Sequence, residues 1–251
     1  MSKNTFISVY TLRMIGESLI RLGLIIPSVN TTMEYEFHTM LPEGFTIHTA
    51  RLKIKSVTLE GLAEMESKVE EEAIKLADAE VDIIGYGCTS GSLFRGLGHD
   101  KMLEERIERV TGKPAVATAG AVVAALKALG VRRVSVATPY IDEINDLERR
   151  FLQANGFDVV DLMGLQLIDG LKIGRISSRT TYQLISKLKC EEADGIFISC
   201  TNFPTINIIK RLESRIGKPV ISSNTATLWA MLKKLNKMVK IKGYGKLLEE
   251  Y

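Results

Sequence analysis

The chain repeats one arrangement of motifs in its two halves. Cys88-Thr89-Ser90 follows a short apolar run in the first half, and Cys200-Thr201-Asn202 follows a similar run 112 residues later. In each half a Gly-Lys-Pro turn comes next, over 112–114 and over 217–219, and leads into another apolar run. Because the matches keep the same order, the sequence indicates an internal duplication.

Short apolar runs alternate with helical patterns along the chain, which is typical of a parallel α/β sheet. Runs at 22–26, 45–52, 81–86, 115–117, 133–137, 157–162, 195–199 and 220–221 predict strands, and charged patterns at 59–79, 101–110, 142–154 and 178–189 predict helices. We therefore predict an α/β fold of two similar Rossmann-like parallel-sheet lobes, related by a pseudo-twofold axis, with the active site in the cleft between them. We expect the first lobe over 1–117, completed by a C-terminal helix over 223–251, and the second lobe over 118–222.

Charge and composition exclude several classes of protein. The 33 basic and 30 acidic residues nearly balance, at a net charge of +3, which argues against a nucleic-acid or membrane partner. No run reaches the about 18 apolar residues that cross a bilayer, and the N-terminus lacks the apolar core of a signal peptide, so we expect a cytoplasmic protein. We also expect a homo-oligomer, a dimer or a tetramer.

The cysteine and histidine pattern favours neither a disulfide framework nor a metal site. The chain has an odd number of cysteines, Cys88, Cys190 and Cys200, and no CxxC pair, and its three histidines have no HxxxH spacing. We therefore expect no metal ligands. Cys190 has no partner motif and is interpreted as structural.

Polar clusters follow several of the predicted strands at the point where each strand ends. They lie at 28–31, 88–90, 138–140 and 200–202. Ligands of parallel α/β sheets bind beyond the carboxyl ends of the strands, so these clusters should open toward one cleft. A cysteine between a strand and a helix N-terminus should have a lowered pKa, and two such thiols facing each other could act on opposite faces of one carbon skeleton without a cofactor. The alternative for a single cysteine of this kind is simple burial as a small apolar residue.

Four segments resemble the signature segments of one enzyme family. They are Ile26-Pro27-Ser28-Val29-Asn30-Thr31-Thr32-Met33-Glu34, Gly87-Cys88-Thr89-Ser90, Ala137-Thr138-Pro139-Tyr140 and Cys200-Thr201-Asn202-Phe203-Pro204-Thr205. They are similar to the segments of maleate cis-trans isomerases, in the aspartate/glutamate racemase superfamily, to which arylmalonate decarboxylases and hydantoin racemases are related. The resemblance covers roughly 21–235.

The resemblance implies a cofactor-free isomerisation of maleate, or a related cis-enedioate, to fumarate. Cys88 would add as thiolate to an alkene carbon, the bond would rotate, and the adduct would eliminate with Cys200 as acid and base. The implied substrate-binding residues of this small dicarboxylate are Ser28, Asn30, Thr89, Ser90, Tyr140, Thr201 and Asn202. Asn30 could also cap the following helix, since asparagine is a favoured N-cap residue.

Two positions bear on the choice within the superfamily. Arylmalonate decarboxylases are expected to have glycine in place of the first cysteine, so Cys88 argues for an isomerase or a racemase. Maleate isomerases tend to carry an asparagine where this chain has Gly170, which concerns the exact substrate. Two alternatives remain open from the sequence: a two-cysteine racemase of an amino acid or hydantoin, and a non-catalytic protein that binds a small carboxylate.

Overall fold

Two four-stranded parallel sheets form the framework of the protein. The computed structural model describes residues 19–54 and 56–251; residues 1–18 of the predicted first lobe lie outside this description. The strands are β1 Ile20–Pro27, β2 Phe45–Leu52, β3 Ile83–Tyr86, β4 Ala115–Ala117, β5 Arg133–Thr138, β6 Asp158–Gly164, β7 Gly195–Ile198 and β8 Val220–Ser222. The first sheet has the order β2-β1-β3-β4 and the second the equivalent order β6-β5-β7-β8. The predicted α/β fold of two similar halves is confirmed.

Helices connect the strands. Their bounds are α1 Met33–Met40, α2 Leu59–Glu66, α3 Val69–Asp78, α4 Thr89–Leu93, α5 His99–Thr111, α6 Thr118–Ala128, α7 Asp142–Ala154, α8 Gly170–Gly174, α9 Ser178–Ile185, α10 Ile206–Ile216, α11 Ser223–Lys234 and α12 Lys246–Glu250. The single helix predicted over 59–79 is in fact α2 and α3. The Ser67 hydroxyl, which follows α2, donates a hydrogen bond to the carbonyl of Glu64, and such local bonds of serine compete with helix continuation.

The strand register places the polar loops of each half side by side. Beyond the end of β3, the N–H of Gly87 donates to the carbonyl of Ile25 in β1 at 2.8 Å. In the second half the N–H of Ser199 donates to the carbonyl of Ala137 in β5, also at 2.8 Å. Each cysteine therefore leaves its sheet next to the loop that follows the neighbouring strand.

Helix α11 joins the two halves. It packs against β3 and β4 of the first sheet, against β8 of the second, and against α6. The approach to the first sheet is close, since a Cβ on Gly85 would meet the sulfur of Met231 at 2.7 Å. The assignment of the C-terminal helix to the first lobe and the boundaries at 117/118 and 222/223 stay predictions. Within the described residues, no helix is long and apolar enough to cross a lipid bilayer.

Candidate active site

A small enclosed cavity lies where the strand-end loops of the two halves meet, with a volume of about 30 Å³. It is lined by Pro27, Val29, Asn30, Ile54, Val57, Leu62, Cys88, Thr89, Ser90, Tyr140, Gly170, Ile173, Cys200, Thr201 and Asn202. Eight of the nine residues singled out from the sequence are in this set, Ser28 being the exception. The two cysteines of the duplicated motif thus line one shared cavity.

Cys88 lies at the N-terminus of α4. Its sulfur accepts a hydrogen bond from the N–H of Gly91 at 3.3 Å, and the hydroxyl of Ser90 is 3.8 Å away. Burial raises the pKa of the Cys88 thiol, and the hydrogen bonds from Gly91 and Ser90 only oppose the rise. The expectation of a lowered pKa at this helix end is therefore wrong, because removal of the sulfur from water outweighs the donors.

Cys200 has a strained backbone and a thiol that strongly favours its protonated form. Its φ of +94° lies in the left-handed region, which residues other than glycine rarely adopt and which is concentrated at functional sites. The Tyr140 side chain and the backbone of Asn202 act to lower the pKa of its thiol. Burial nevertheless raises the pKa of Cys200 to about 12, so this thiol holds its proton in the resting cavity.

Asn30 performs two tasks at once. Its Oδ1 accepts hydrogen bonds from the N–H groups of Thr32 and Met33 at 3.0 Å, which caps the start of α1. Its Nδ2 donates to the hydroxyl of Thr201 at 3.0 Å, and that hydroxyl donates to the carbonyl of Gly87 at 2.9 Å. This chain of bonds ties the loop of one cysteine to the loop of the other.

Asn202 uses its side-chain amide to hold three backbone groups. Its Nδ2 donates to the carbonyls of Gly170, at 2.7 Å, and Val29, at 3.2 Å, and its Oδ1 accepts from the N–H of Thr31 at 2.8 Å. The side chain is therefore occupied in shaping the cavity wall.

Ser28, the ninth residue, has an exposed position outside the cavity lining. Its hydroxyl donates to the carbonyl of Ile54 at 3.3 Å and accepts from the N–H of Ile54 at 3.2 Å. The structure thus places Ser28 as a link between the loop after β1 and the segment after β2.

The sequence analysis missed Ser223, the first residue of α11. Its hydroxyl accepts hydrogen bonds from the hydroxyl of Thr89 at 2.8 Å and from the N–H of Cys200 at 3.0 Å. The available signal was the polar pair that follows the apolar run of β8, at the same sheet edge as the cysteines. Ser223 fixes one cysteine loop against the other.

Gly170 has no room for a side chain. A Cβ at this position would meet the Cγ2 of Val29 at 2.2 Å. A side chain at 170 therefore requires the Val29 side chain or the backbone to shift.

The cavity wall is apolar on one side, formed by Ile54, Val57, Leu62 and Ile173, and no lysine, arginine or histidine is among its described lining residues. The segments that carry Val57 and Gly170 meet through a hydrogen bond of 3.0 Å from the N–H of Val57 to the carbonyl of Ile168. A volume of this size holds about two water molecules.

Comparison with known proteins accords with this site. The sequence profile of the arylmalonate decarboxylase family matches residues 22–248. A maleate isomerase of Pseudomonas putida is 33% identical over 243 residues, which cover 92% of this chain and 97% of the relative. Among solved structures, a cysteine-to-alanine variant of the maleate isomerase of Pseudomonas putida S16 with maleate has a TM-score of 0.90 at 33% identity, covering 92% of this chain and 98% of that chain.

A second solved structure carries information on the chemistry of that relative. It is a cysteine-to-serine mutant of the maleate cis-trans isomerase of Nocardia farcinica with a covalently bound succinylcysteine intermediate, with a TM-score of 0.90 at 28% identity, covering 93% of this chain and 100% of that chain. The profile match and the identity to curated relatives both extend over nine-tenths of the sequence. The chain therefore belongs to the arylmalonate decarboxylase family, together with the maleate isomerases.

Proposed function

We propose that this protein is a cofactor-independent isomerase that converts maleate, or a closely related cis-enedioate, to its trans isomer. The observation that carries the proposal is that the two cysteines of a duplicated motif, Cys88 and Cys200, line one enclosed cavity. The similarity to maleate isomerases over most of the chain supports this substrate class.

The reaction begins at Cys88. Burial raises the pKa of the Cys88 thiol, so this thiol first has to release its proton to solvent. The thiolate sulfur then adds to one alkene carbon of maleate, and the π electrons move to the neighbouring carbon, which takes the proton of the Cys200 thiol. The product of this step is a succinyl thioether on Cys88, the kind of species that the Nocardia farcinica relative holds.

Rotation and elimination complete the cycle. The former double bond is now single, so the two carboxylates rotate apart. The Cys200 thiolate then removes a proton from the carbon adjacent to the one that bears the sulfur. The electron pair of the carbon–sulfur bond returns to Cys88, and the trans alkene forms. Each cysteine ends in its starting protonation state, so no external acid, base or redox partner is consumed.

Neutral donors bind the carboxylates in this proposal. The groups that we propose as donors at the cavity are the hydroxyls of Ser90 and Tyr140 and the amide of Asn30, whose Nδ2 also donates to Thr201. The hydroxyl of Thr89 would have to turn from Ser223 toward the substrate to join them. Thr201 and Asn202 hold these groups in place through their bonds to Asn30 and to the cavity wall. Uncharged donors suit a substrate in which negative charge moves between atoms during the reaction, since they stabilise an anion through hydrogen bonds without forming an ion pair with it.

The test is direct. Purified protein is incubated with maleate without added cofactor, and the vinyl signals are followed by proton NMR; the expected result is conversion to fumarate. Stabilisation by maleate without conversion would favour the binding-protein alternative. Exchange of the α-hydrogen of amino acids or hydantoins in deuterated water, with maleate untouched, would favour the racemase.

Two further predictions concern the state of the protein. The expected dimer or tetramer is tested by light scattering of the purified chain, where a monomer would contradict it. The expected cytoplasmic location is tested by fractionation of the source cells.

A further inference from the structure

The duplication that pairs the cysteines also pairs two buried glutamates. The spacing of 112 residues that separates Cys88 from Cys200 also separates Glu36 from Glu148. Glu36 lies on the first helix after β1 and Glu148 on the first helix after β5, and each side chain is only 1% exposed. Neither carboxyl takes part in the reaction steps above, although ionisable groups are rarely buried without a role.

Glu36 is fully provided with hydrogen-bond donors. Its carboxylate accepts from the N–H of Thr205 at 2.6 Å, the N–H of Ile206 at 3.2 Å and the Nδ2 of Asn224 at 2.7 Å. The hydroxyl of Thr205 adds a weaker bond at 3.3 Å. These donors lie on the second-half loop after Cys200, at the first residue of α10 and on α11, so Glu36 holds those elements to the first half.

Glu148 lacks this set of donors. The hydroxyl of Ser199 donates to its Oε1 at 2.5 Å, while its Oε2 is buried without a partner among the described residues. Asn224 is the second residue of α11. The second residue of the equivalent helix α6 is Ala119, whose side chain has no hydrogen-bond donor. Burial raises the pKa of Glu148 to about 7, and only Ser199 opposes the rise.

The carboxyl of Glu148 lies next to the proton donor of the proposed reaction. Ser199, its one partner, immediately precedes Cys200, and a negative charge on Glu148 opposes ionisation of both Cys200 and Tyr140. These two are the titratable groups that face it from the cavity.

The elements packed against α7 add no counter-charge to Glu148. They include α4, whose five residues carry no titratable group, α6, whose one ionisable residue is Lys127 near its C-terminal end, and β6. On β6, Asp158 is exposed and Asp161 accepts from the N–H of Lys189. Arg149, the neighbour of Glu148 on α7, donates to the carbonyl of Val159.

We propose that Glu148 is the positioning residue that makes Cys200 the proton donor of the pair, and that it does so only while its own carboxyl is protonated. An ionised Glu148 places a second negative charge beside the Cys200 thiolate that forms when the proton leaves, and so disfavours that step. The two cysteine motifs are equivalent in sequence, and Glu148 distinguishes the surroundings of Cys200. The inference rests on the proposed function for its effect on turnover.

The first test is the pH dependence of turnover in Glu148→Gln, with Glu36→Gln as the matched control. In the wild type, kcat should fall as pH rises through about 7, the value at which Glu148 ionises. The amide cannot ionise, so the ratio of kcat at pH 8 to kcat at pH 6 should be about tenfold higher in Glu148→Gln than in the wild type. Glu36→Gln should keep the wild-type ratio. An unchanged ratio in Glu148→Gln, or an equal change in both variants, would overturn the inference.

A second variant leaves the glutamate in place, in case the amide prevents folding. Ser199→Ala removes the bond that lowers the pKa of Glu148, so the fall in kcat should move to higher pH. If Glu148 had only a structural role, Ser199→Ala would lower kcat without moving the pH at which kcat has fallen by half. An unchanged pH midpoint would therefore contradict the proposal.

The last test needs no turnover, so it separates this inference from the proposed function. In a Cys88→Ser background, alkylation of Cys200 by iodoacetamide at pH 8.5 is measured by peptide mass spectrometry, with Cys190 as the internal reference. Glu148→Gln should speed alkylation of Cys200 several-fold and leave Cys190 unchanged. If maleate is not isomerised but this acceleration is found, the proposed function fails and the electrostatic role of Glu148 stands. Equal rates with and without Glu148→Gln would refute that role whatever the protein turns over.

Discussion

The hydroxyl of Thr89 donates a hydrogen bond of 2.8 Å to the hydroxyl of Ser223. The same Ser223 oxygen accepts the N–H of Cys200 at 3.0 Å. One side chain on α11 therefore sets the distance between a residue that follows the first cysteine and the backbone of the second. A shared acceptor of this kind stabilises the structure most when it is buried, because without it both donors would be left without a hydrogen bond and out of contact with water.

Replacement of Ser223 by alanine should lower both the stability of the fold and turnover. The change leaves the hydroxyl of Thr89 and the N–H of Cys200 without their acceptor, at a cost of about 1–3 kcal/mol for each buried group. We expect kcat for maleate to fall by about tenfold or more, measured by NMR. Ser214→Ala, an exposed serine that bonds only to the carbonyl of Lys210, is the control and should behave as the wild type. Equal activity of the two variants would show that Ser223 does not set the geometry.

The two cysteines should differ in what their loss leaves behind. Cys88→Ser and Cys200→Ser should each lower kcat/KM by about a thousandfold or more, since the two groups act as a unit. With maleate, Cys200→Ser should accumulate a covalent adduct on Cys88, seen as a mass increase of one substrate molecule. The new hydroxyl or solvent can still supply the proton that completes addition, whereas the thiolate that removes it for elimination is missing. Cys190→Ser should retain full turnover. Fumarate production by Cys88→Ser would exclude Cys88 as the nucleophile.

Gly170 and Val29 should show coupled effects. In Gly170→Ala the new methyl group meets the Val29 side chain, and such overpacking costs about 1–3 kcal/mol of unfolding free energy. Val29→Ala in the same chain should recover most of that loss, as a double-mutant cycle by urea denaturation measures. Additive losses in the double variant would show that the clash is relieved elsewhere.

The stability of the protein should depend on Glu148 in a defined pH window. Its pKa is 4.5 in an ordinary environment and about 7 in the folded chain, so the native state binds more protons than the unfolded state between these values. Stability from this group is complete below pH 4.5 and is lost as pH rises to 7. The free energy of unfolding of the wild type should therefore fall relative to that of Glu148→Gln by about 3 kcal/mol across this window. A difference that stays constant from pH 4.5 to 7 would contradict a buried carboxyl that ionises near 7.

Much of the architecture could be read from the sequence because it depends on local patterns. Apolar runs of strand length separated by helical patterns specified the alternating elements, and the repeated cysteine motifs specified the duplication. The division of the predicted helix at 59–79 into α2 and α3 was missed, since the hydroxyl of Ser67 acts against a periodicity that is otherwise continuous.

The residue types of the site were also predictable, whereas their tasks were not. Ser28 and Asn202 have the polar side chains that a dicarboxylate needs, but their hydrogen-bonding groups are taken by the backbone of Ile54 and of Gly170. Which donors remain free is decided by contacts between segments far apart in the chain, so no local pattern reports it.

By itself the sequence determined two equivalent α/β halves and two equivalent cysteines, because a duplicated pattern of apolar and polar residues folds twice in the same way. Only the tertiary structure decided that the halves are unequal where they meet. Burial reverses the expected pKa shift of Cys88, and Ala119 stands where the other half has Asn224, which leaves Glu148 short of donors. The free energy of a charge depends on the water and the donors around it, and these are fixed only when both halves are packed together.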